Sequence, residues 1–164
     1  MIRYVIGDAT QPIRVSYGWQ YIVHCCNDVG AWGAGFVLAI SKRWWKPEAE
    51  YRNWYAGLSV NLYPPFELGE IQVIGVEDGI SVVNLIGQNG VGRGKDGKPP
   101  IRYDAIERGL ISLNEIATRF SDNPSIHCPR LGCGLAGGKW ENIEEIINKV
   151  IDPNIPVVVY DLPT

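Results

Sequence analysis

The second half of the chain alternates between two hydrophobic periodicities, and this alternation limits the possible folds more than any other feature. Two segments carry apolar stripes at helical spacing, formed by Ile106, Leu110, Leu113, Ala117 and Phe120 and by Ile143, Ile146, Ile147 and Val150. Short apolar runs at 125–129 and 155–162 follow these segments and predict buried strands. Strands that alternate with helices indicate a sheet covered on both faces, with parallel neighbours joined by right-handed crossovers.

The first half of the chain adds further strand and helix patterns. Strands are predicted at 1–7 and 21–26, helices at 34–45 and 47–57, and a hairpin from 70–77 and 80–86 with a tight turn at Gly79. The hairpin contributes one antiparallel pair. We therefore predict an α/β fold with three layers, α/β/α, around a mixed, mostly parallel sheet. The length of 164 residues fits a single domain, 1–164.

The charge and the apolar runs of the chain argue against nucleic acid and membrane as partners. The formal net charge is −3, and a protein that binds nucleic acid non-specifically needs clustered Lys and Arg, so we expect no nucleic-acid partner. No apolar run approaches the ~18 residues of a membrane span, and residues 1–20 lack the basic start and apolar block of a signal peptide. We expect no membrane partner, a cytoplasmic location, and a small anionic or neutral ligand.

The four cysteines, Cys25, Cys26, Cys128 and Cys133, suggest two disulfides, or a zinc site with His24 and His127 because His-Cys occurs twice. However, adjacent residues on a strand point to opposite faces, whereas zinc sites use turns that bring their ligands together. We favour buried free thiols, with no metal and no cofactor.

Two glycine-rich segments follow predicted strands. Segment 27–35 reads "NDVGAWGAG", and segment 127–140 reads "HCPRLGCGLAGGKW". Glycines allow successive N–H groups to turn inward and form a nest for phosphate oxygens, and ligands in such folds bind at the carboxyl ends of strands. Two such loops predict a site for a diphosphate. The alternative is that the glycines only make tight turns. Neither nucleotide-binding motif, G-x-x-x-x-G-K-[ST] nor G-x-G-x-x-G after the first strand, is present.

Together, "GDAT" after the first strand, "IVHCCNDVGAWGAG" and "PRLGCGLAGG" resemble the three signature segments of a macrodomain, the ADP-ribose-binding α/β/α fold. The resemblance covers nearly the whole chain, and "VVVYDL" is similar to the last strand of the family. A His-x-x-Asn-like segment, His24 to Asn27, resembles the branch that contains terminal ADP-ribose protein glycohydrolase and the yeast-type phosphatase acting on ADP-ribose-1″-phosphate.

The resemblance implies roles for individual residues. Asp8 would accept a hydrogen bond from the adenine amino group and the Ala9 amide would donate to a ring nitrogen; the alternative for Asp8 is an ordinary Asx turn before Pro12. Asn27 would contact the distal ribose. Trp32 would lie over that sugar or fix its loop to the core. The two phosphate loops would comprise Gly33, Ala34 and Gly35, and Gly132, Cys133, Gly134 and Leu135, with Cys133 contributing its backbone.

Catalysis is less well supported by the resemblance. The glycohydrolase branch uses a lysine and an aspartate where this chain has Gly87 or Gln88 and Ala136, so that covalent route lacks its nucleophile. His24, Asn27, Asp28 and Gln88 remain as candidates to orient or activate a water that attacks a phosphate or ester on the distal ribose.

Three functions therefore stay open. The chain binds ADP-ribose or a derivative and hydrolyses a group from its distal ribose, or it is a non-catalytic reader of free or protein-attached ADP-ribose, or it binds a protein through its many aromatic residues. Segment 87–100, with Arg93, Lys95 and Lys98, is interpreted as a lid over an anionic ligand or as a solvated loop.

Overall fold

The computed structural model describes residues 2–59, 61–94 and 96–164. Over these ranges the chain forms six strands and four helices. In chain order they are β1 (Ile2–Ile6), β2 (Gln20–Asn27), α1 (Phe36–Arg43), α2 (Lys46–Tyr55), β3 (Ile71–Glu77), β4 (Ile80–Gln88), α3 (Tyr103–Phe120), β5 (Ser125–Cys128), α4 (Trp140–Val150) and β6 (Val157–Asp161).

The strands form one sheet in the order β1-β6-β5-β2-β4-β3. Its paired neighbours are parallel except β3 and β4, the predicted hairpin, which pair antiparallel. Residues of α3 and α4 pack on one face of the sheet, and residues of α1 and α2 pack on the other. The predicted three-layer α/β/α class with a mixed, mostly parallel sheet is therefore confirmed.

Strand β2 lies inside the sheet and anchors the loop that follows it. Ile22 belongs to the core under α1 and α2, whereas Val23 belongs to the core under α3 and α4, and both are fully buried. Burial of such a side chain contributes about 1.5–3 kcal/mol. The carboxyl end of β2, from which the first glycine-rich loop emerges, is consequently fixed by packing on both faces.

The predicted bounds of the elements differ from the structure by one or two residues, and one residue of a predicted apolar stripe is exposed. Helix α1 begins at Phe36 rather than residue 34, because Gly35 has φ 83° and a left-handed residue cannot belong to an α-helix. Phe120 is 74% exposed although it continues the apolar stripe of α3, since it is the last residue of the helix and the packed stripe ends at Ala117.

Two further sequence predictions concern the membrane and segment 87–100. Among the helices that the structure describes, none is both long and apolar enough to cross a membrane.

In segment 87–100 Arg93 and Lys98 are exposed, and Arg93 donates to the carbonyl of Gly97 at 2.7 Å. Lys95 lies outside the described residues.

Candidate functional site

A cleft of about 860 Å³ runs along the carboxyl ends of the parallel strands. In open α/β sheets this edge is where ligands bind, because the strand-to-helix loops gather there. The lining includes Asp8 and Ala9 after β1, Asp161 and Leu162 at the end of β6, Arg130 after β5, His24 and Asn27 on β2, and Gln88 on β4. Both glycine-rich loops also line it, through Gly33, Ala34 and Gly35 and through Gly132, Gly134 and Leu135.

The first glycine-rich loop ends at an open helix N-terminus. Gly35 is the N-cap of α1, and it makes no side-chain hydrogen bond to the first turn, which contains no acidic residue. The amides of Phe36 and Val37 have no acceptor among the described residues, and both residues line the cleft. Free N–H groups and the helix dipole together create a positive end that favours an anion.

Asn27 holds this loop in shape. Its Nδ2 donates to the carbonyl of Ala31 at 2.7 Å, and its Oδ1 accepts from the amides of Val29 and Ala31, each at 3.0 Å. The hydroxyl of Tyr51 donates to the same oxygen at 2.9 Å. Most hydrogen-bonding groups of the Asn27 side chain therefore stabilise the loop. One Nδ2 hydrogen is left, and it can donate to a distal ribose as predicted.

The second glycine-rich loop is folded by its own backbone. The amide of Gly138 donates to the carbonyl of Gly132 at 2.7 Å, and the amide of Gly137 donates to Gly134 at 3.0 Å. A Cβ at Gly138 would lie 2.4 Å from Ile101 and 2.6 Å from the Gly132 oxygen, so only glycine fits. The amides of Gly134, Leu135 and Ala136 remain without acceptors in the described part of the chain.

Cys133 contributes less than predicted. Its amide donates to the carbonyl of Arg130 at 3.1 Å, and its thiol donates to the carbonyl of Leu131 at 3.3 Å. Burial raises the pKa of the thiol, which keeps it protonated. The backbone donor expected from Cys133 is therefore used within the loop, and the open donors begin one residue later, at Gly134.

Asp8 lies at the β1 end of the cleft. Its Oδ1 accepts from the amide and the hydroxyl of Thr10, both at 2.8 Å, which is the Asx-type turn considered in the sequence analysis. Arg43 donates to the same hydroxyl at 3.2 Å. The second carboxylate oxygen has no donor among the residues described, and Ala9, which is buried, also lines the cleft. The turn thus orients a carboxylate that still has one oxygen for a ligand.

His24 is buried at the other end of the cleft floor. Its Nε2 donates to Oδ1 of Asn84 at 2.5 Å, Asn84 donates to Oε1 of Gln72 at 3.0 Å, and Gln72 donates to the carbonyl of Glu50 at 2.9 Å. This direction of donation fixes the tautomer and leaves Nδ1 as an acceptor. Burial lowers the pKa of His24 to about 4, so the ring is neutral at pH 7.

Asp28 and Gln88 tie the ends of β2 and β4 together. The carboxylate of Asp28 accepts from the amide of Gly90 at 2.7 Å and from Nδ2 of Asn89 at 2.9 Å. Nε2 of Gln88 donates to the carbonyl of Gly90 at 2.9 Å. The amide of Asp28 donates to the carbonyl of Gln88 at 3.0 Å, so the two catalytic candidates are neighbours. Only Gln88 lines the cleft, because the carboxylate of Asp28 is used by Asn89 and Gly90.

Trp32 lies in the core beneath α1 and α2. It is 4% exposed, and its Nε1 donates to the hydroxyl of Ser41 at 2.7 Å. Its ring packs edge-on against His24 with centroids 5.4 Å apart and tilted against Tyr51 at 5.3 Å. Of the two positions considered for Trp32, the structure shows the loop fixed to the core rather than an indole over a sugar.

Gly87, one of the two positions considered for the missing lysine, is closed by packing, whereas Gln88 and Ala136 both line the cleft. A Cβ at Gly87 would lie 2.3 Å from Ile106 and 2.8 Å from the sulfur of Cys25. Ala136 is 4% exposed, and its carbonyl accepts from the amide of Ile101 at 3.1 Å. The cleft is therefore shaped without the amine and carboxylate of the glycohydrolase branch.

The four cysteines are thiols without a disulfide partner. Cys26 and Cys128 are buried, Cys25 and Cys133 are partly buried, and all four are free. Burial raises the pKa of Cys25 and of Cys128 to about 12. Across residues 2–59, 61–94 and 96–164, no three His, Cys, Asp or Glu residues cluster closely enough to hold a metal ion.

Comparison with solved structures finds close relatives over nearly the whole chain. A protein of unknown function from Bacteroides thetaiotaomicron is 46% identical with a TM-score of 0.90, covering 98% of each chain. A macrodomain protein from Streptomyces coelicolor is 43% identical with a TM-score of 0.81, covering 98% of this chain and 99% of the other. A scan against models of protein families finds no match.

Comparison with curated sequences gives more distant or partial relatives. Chromodomain-helicase-DNA-binding protein 1-like of Danio rerio is 33% identical over 156 residues, which are 90% of this chain, but the chain spans only 14% of that protein. The ADP-ribose glycohydrolase OARD1 of Bos taurus is 25% identical, covering 98% of this chain and 91% of the relative.

Proposed function

The chain belongs to the macrodomain family, and on that premise we propose that it binds ADP-ribose, or a derivative of ADP-ribose, in the cleft at the strand ends. The observation that carries the proposal is the pair of donor groups that line this cleft. The open N-terminus of α1 contributes Phe36 and Val37, and the second loop contributes the amides of Gly134, Leu135 and Ala136. A diphosphate has the charge and the oxygens to accept from both sets.

The two ends of the cleft suit the two ends of the ligand. The open carboxylate oxygen of Asp8 accepts from an exocyclic amino group, which adenine has and guanine lacks at that position. At the opposite end, His24, Asn27 and Gln88 offer nitrogen and amide groups that suit the hydroxyls of a distal ribose. Asp8 and Gln88 are separated by four strand spacings, roughly 19 Å at about 4.8 Å each, so an extended ligand fits this edge.

Calorimetry with adenosine monophosphate, ADP and ADP-ribose tests this proposal. Affinity should rise from the first ligand to the last, because each added group meets a further set of donors. An intact protein that gives no heat with ADP-ribose would contradict the proposal, and it would favour the alternative in which the protein binds a partner through its aromatic residues.

Hydrolysis of a phosphate or ester from the distal ribose, as in processing of ADP-ribose-1″-phosphate, is a second proposal. It is supported by Oε1 of Gln88, which has no donor among the described residues and can orient a water. His24 lines the same cleft, but its Nδ1 already faces the thiol of Cys26 at 3.9 Å. The second proposal is weakened by Gly87 and Ala136, which supply neither amine nor carboxylate. ADP-ribosylated protein is the corresponding ligand if the chain is a non-catalytic reader.

Phosphate release from ADP-ribose-1″-phosphate separates enzyme from reader. The informative variant is Gln88→Ala, because Gln88 donates only to a loop carbonyl, whereas removal of His24 leaves the buried Asn84 without its donor. Because Gln88 also faces the distal ribose, phosphate release that falls by a much larger factor than the ADP-ribose affinity in Gln88→Ala supports hydrolysis. Tight binding with no release by the wild-type protein supports the reader.

A further inference from the structure

Arg130 and Asp161 form a charged pair on the wall of the cleft that the sequence analysis did not assign. Nε of Arg130 donates to Oδ1 of Asp161 at 2.9 Å, and Nη2 donates to Oδ2 at 2.7 Å. This two-pronged geometry is the strongest form of an Arg–carboxylate pair. The residues come from the carboxyl ends of β5 and β6, and both line the cleft.

The guanidinium of Arg130 is held in place before any ligand arrives. It lies 4.9 Å from the centroid of the Tyr4 ring and 5.0 Å from that of the Trp140 ring. Nε1 of Trp140 donates to the hydroxyl of Tyr4 at 3.0 Å, which in turn donates to Glu144. Two aromatic rings and one carboxylate therefore fix the cation, which lowers the entropy cost of a further contact.

This fixed pair has hydrogen-bonding capacity left over. Nη1 of Arg130 has no acceptor among the described residues, and each oxygen of Asp161 has accepted one hydrogen bond and has room for another. The side chains of both residues are more than a third exposed, so a ligand in the cleft can reach them. A free donor beside a free acceptor matches a hydroxyl group, which both accepts and donates.

The order of the strands says which part of the ligand lies beside the pair. Asp8 follows β1, and the diphosphate donors follow β2 and β5. Strand β6 lies between β1 and β5. If the adenine lies at Asp8 and the phosphates lie between the two loops, the sugar that joins adenine to phosphate lies at the end of β6. That sugar is the adenosine ribose.

We propose that Arg130 and Asp161 recognise the 2′ and 3′ hydroxyls of the adenosine ribose and make the cleft selective for ligands in which these hydroxyls are free. The inference rests on the proposed function, because it requires ADP-ribose in the cleft. A site built to hydrogen-bond a hydroxyl discriminates strongly against an analogue that lacks it, since its polar groups are then left unpaired. In the simpler interpretation the pair only ties β5 to β6.

Calorimetry with ADP-ribose and with an analogue lacking the 2′ and 3′ hydroxyls of the adenosine ribose distinguishes these interpretations. The wild-type protein should bind the analogue about tenfold more weakly, as expected for lost hydrogen bonds to charged groups. In Arg130→Gln the ratio should fall below about threefold, because the fixed donor is gone. The matched control Arg108→Gln removes an arginine from another ion pair, with Glu70, and should keep the wild-type ratio.

The possible results distinguish failure of the ribose contact from failure of ADP-ribose binding itself. Equal affinity of the wild-type protein for the two ligands would overturn the inference while leaving the proposed function intact. An unchanged ratio in Arg130→Gln would assign the pair a structural role only. If Arg130→Gln does not fold, Asp161→Asn serves as the second variant, since it keeps the shape of the side chain and removes its charge. Absence of ADP-ribose binding by the wild-type protein would refute the proposed function itself.

Discussion

Replacing Gly134 by alanine should weaken ADP-ribose binding without destabilising the protein. A Cβ built at Gly134 meets no atom of the described residues within 4 Å, and its φ lies outside the left-handed region, so the folded chain tolerates the methyl group. Gly134 lines the cleft beside the open amides of Leu135 and Ala136. The methyl group would therefore occupy space that a phosphate needs in order to reach these donors.

The magnitude follows from the contacts that the methyl group would interrupt. A hydrogen bond from a neutral amide to a charged oxygen contributes about 1.5–3 kcal/mol, so the loss of one contact should lower the affinity about tenfold to a hundredfold. Calorimetry measures the affinity, and urea denaturation checks that stability is unchanged.

The matched control for this prediction is Gly75→Ala. It makes the same change in β3, away from the cleft, where an added Cβ also has no neighbour within 4 Å in the part of the chain that the structure describes. Gly75→Ala should bind ADP-ribose like the wild-type protein. Wild-type affinity in Gly134→Ala would refute the placement of the phosphates against these amides.

The remaining predictions concern the base contact and the buried histidines. Asp8→Asn keeps an oxygen for Thr10 but offers an amide, so calorimetry should show about tenfold weaker binding of ADP-ribose and a relative gain for its inosine counterpart; unchanged selectivity would remove the adenine assignment. Burial lowers the pKa of both His24 and His127 to about 4. As the pH falls, each histidine is protonated in the unfolded chain, near pH 6.5, before it is protonated in the folded protein. The free energy of unfolding is therefore fully retained above about pH 6.5 and declines toward pH 4. At about pH 5 the loss is on the order of 2 kcal/mol per histidine. Urea denaturation at about pH 7.5 and pH 5 measures the loss, and His127→Gln should remove about half of it; an equal loss in the variant would contradict the assignment.

The sequence predicts the fold well because its signals are local. Helical stripes, β-branched runs and the Gly79 turn each lie within one element, and their order leaves few ways to build a covered sheet. The boundaries that differ depend on information outside the pattern. The start of α1 is set by the left-handed conformation of Gly35, and the exposure of Phe120 is set by where α3 ends against its neighbours.

The site is predicted less completely because its polar groups pair across strands. Glycines mark both loops in the sequence, but the sequence does not show that the Cys133 amide closes a turn or that Trp32 packs into the core. The sequence analysis does not identify Asn84 and Gln72 as hydrogen-bonding partners behind His24. A polar residue inside an apolar strand is nevertheless a signal that predicts a buried hydrogen-bond network.

No sequence pattern indicates that Arg130 and Asp161 form a pair. Their pairing depends on the adjacency of β5 and β6, which are separated by a whole helix in the chain.

A crystal structure of the protein with ADP-ribose tests the central claim most directly. The account predicts that the diphosphate lies between the N-terminus of α1 and segment 134–136, with its oxygens about 3 Å from the amides of both. A complex in which the diphosphate contacts neither set of amides, or in which the nucleotide occupies a different surface, would contradict it.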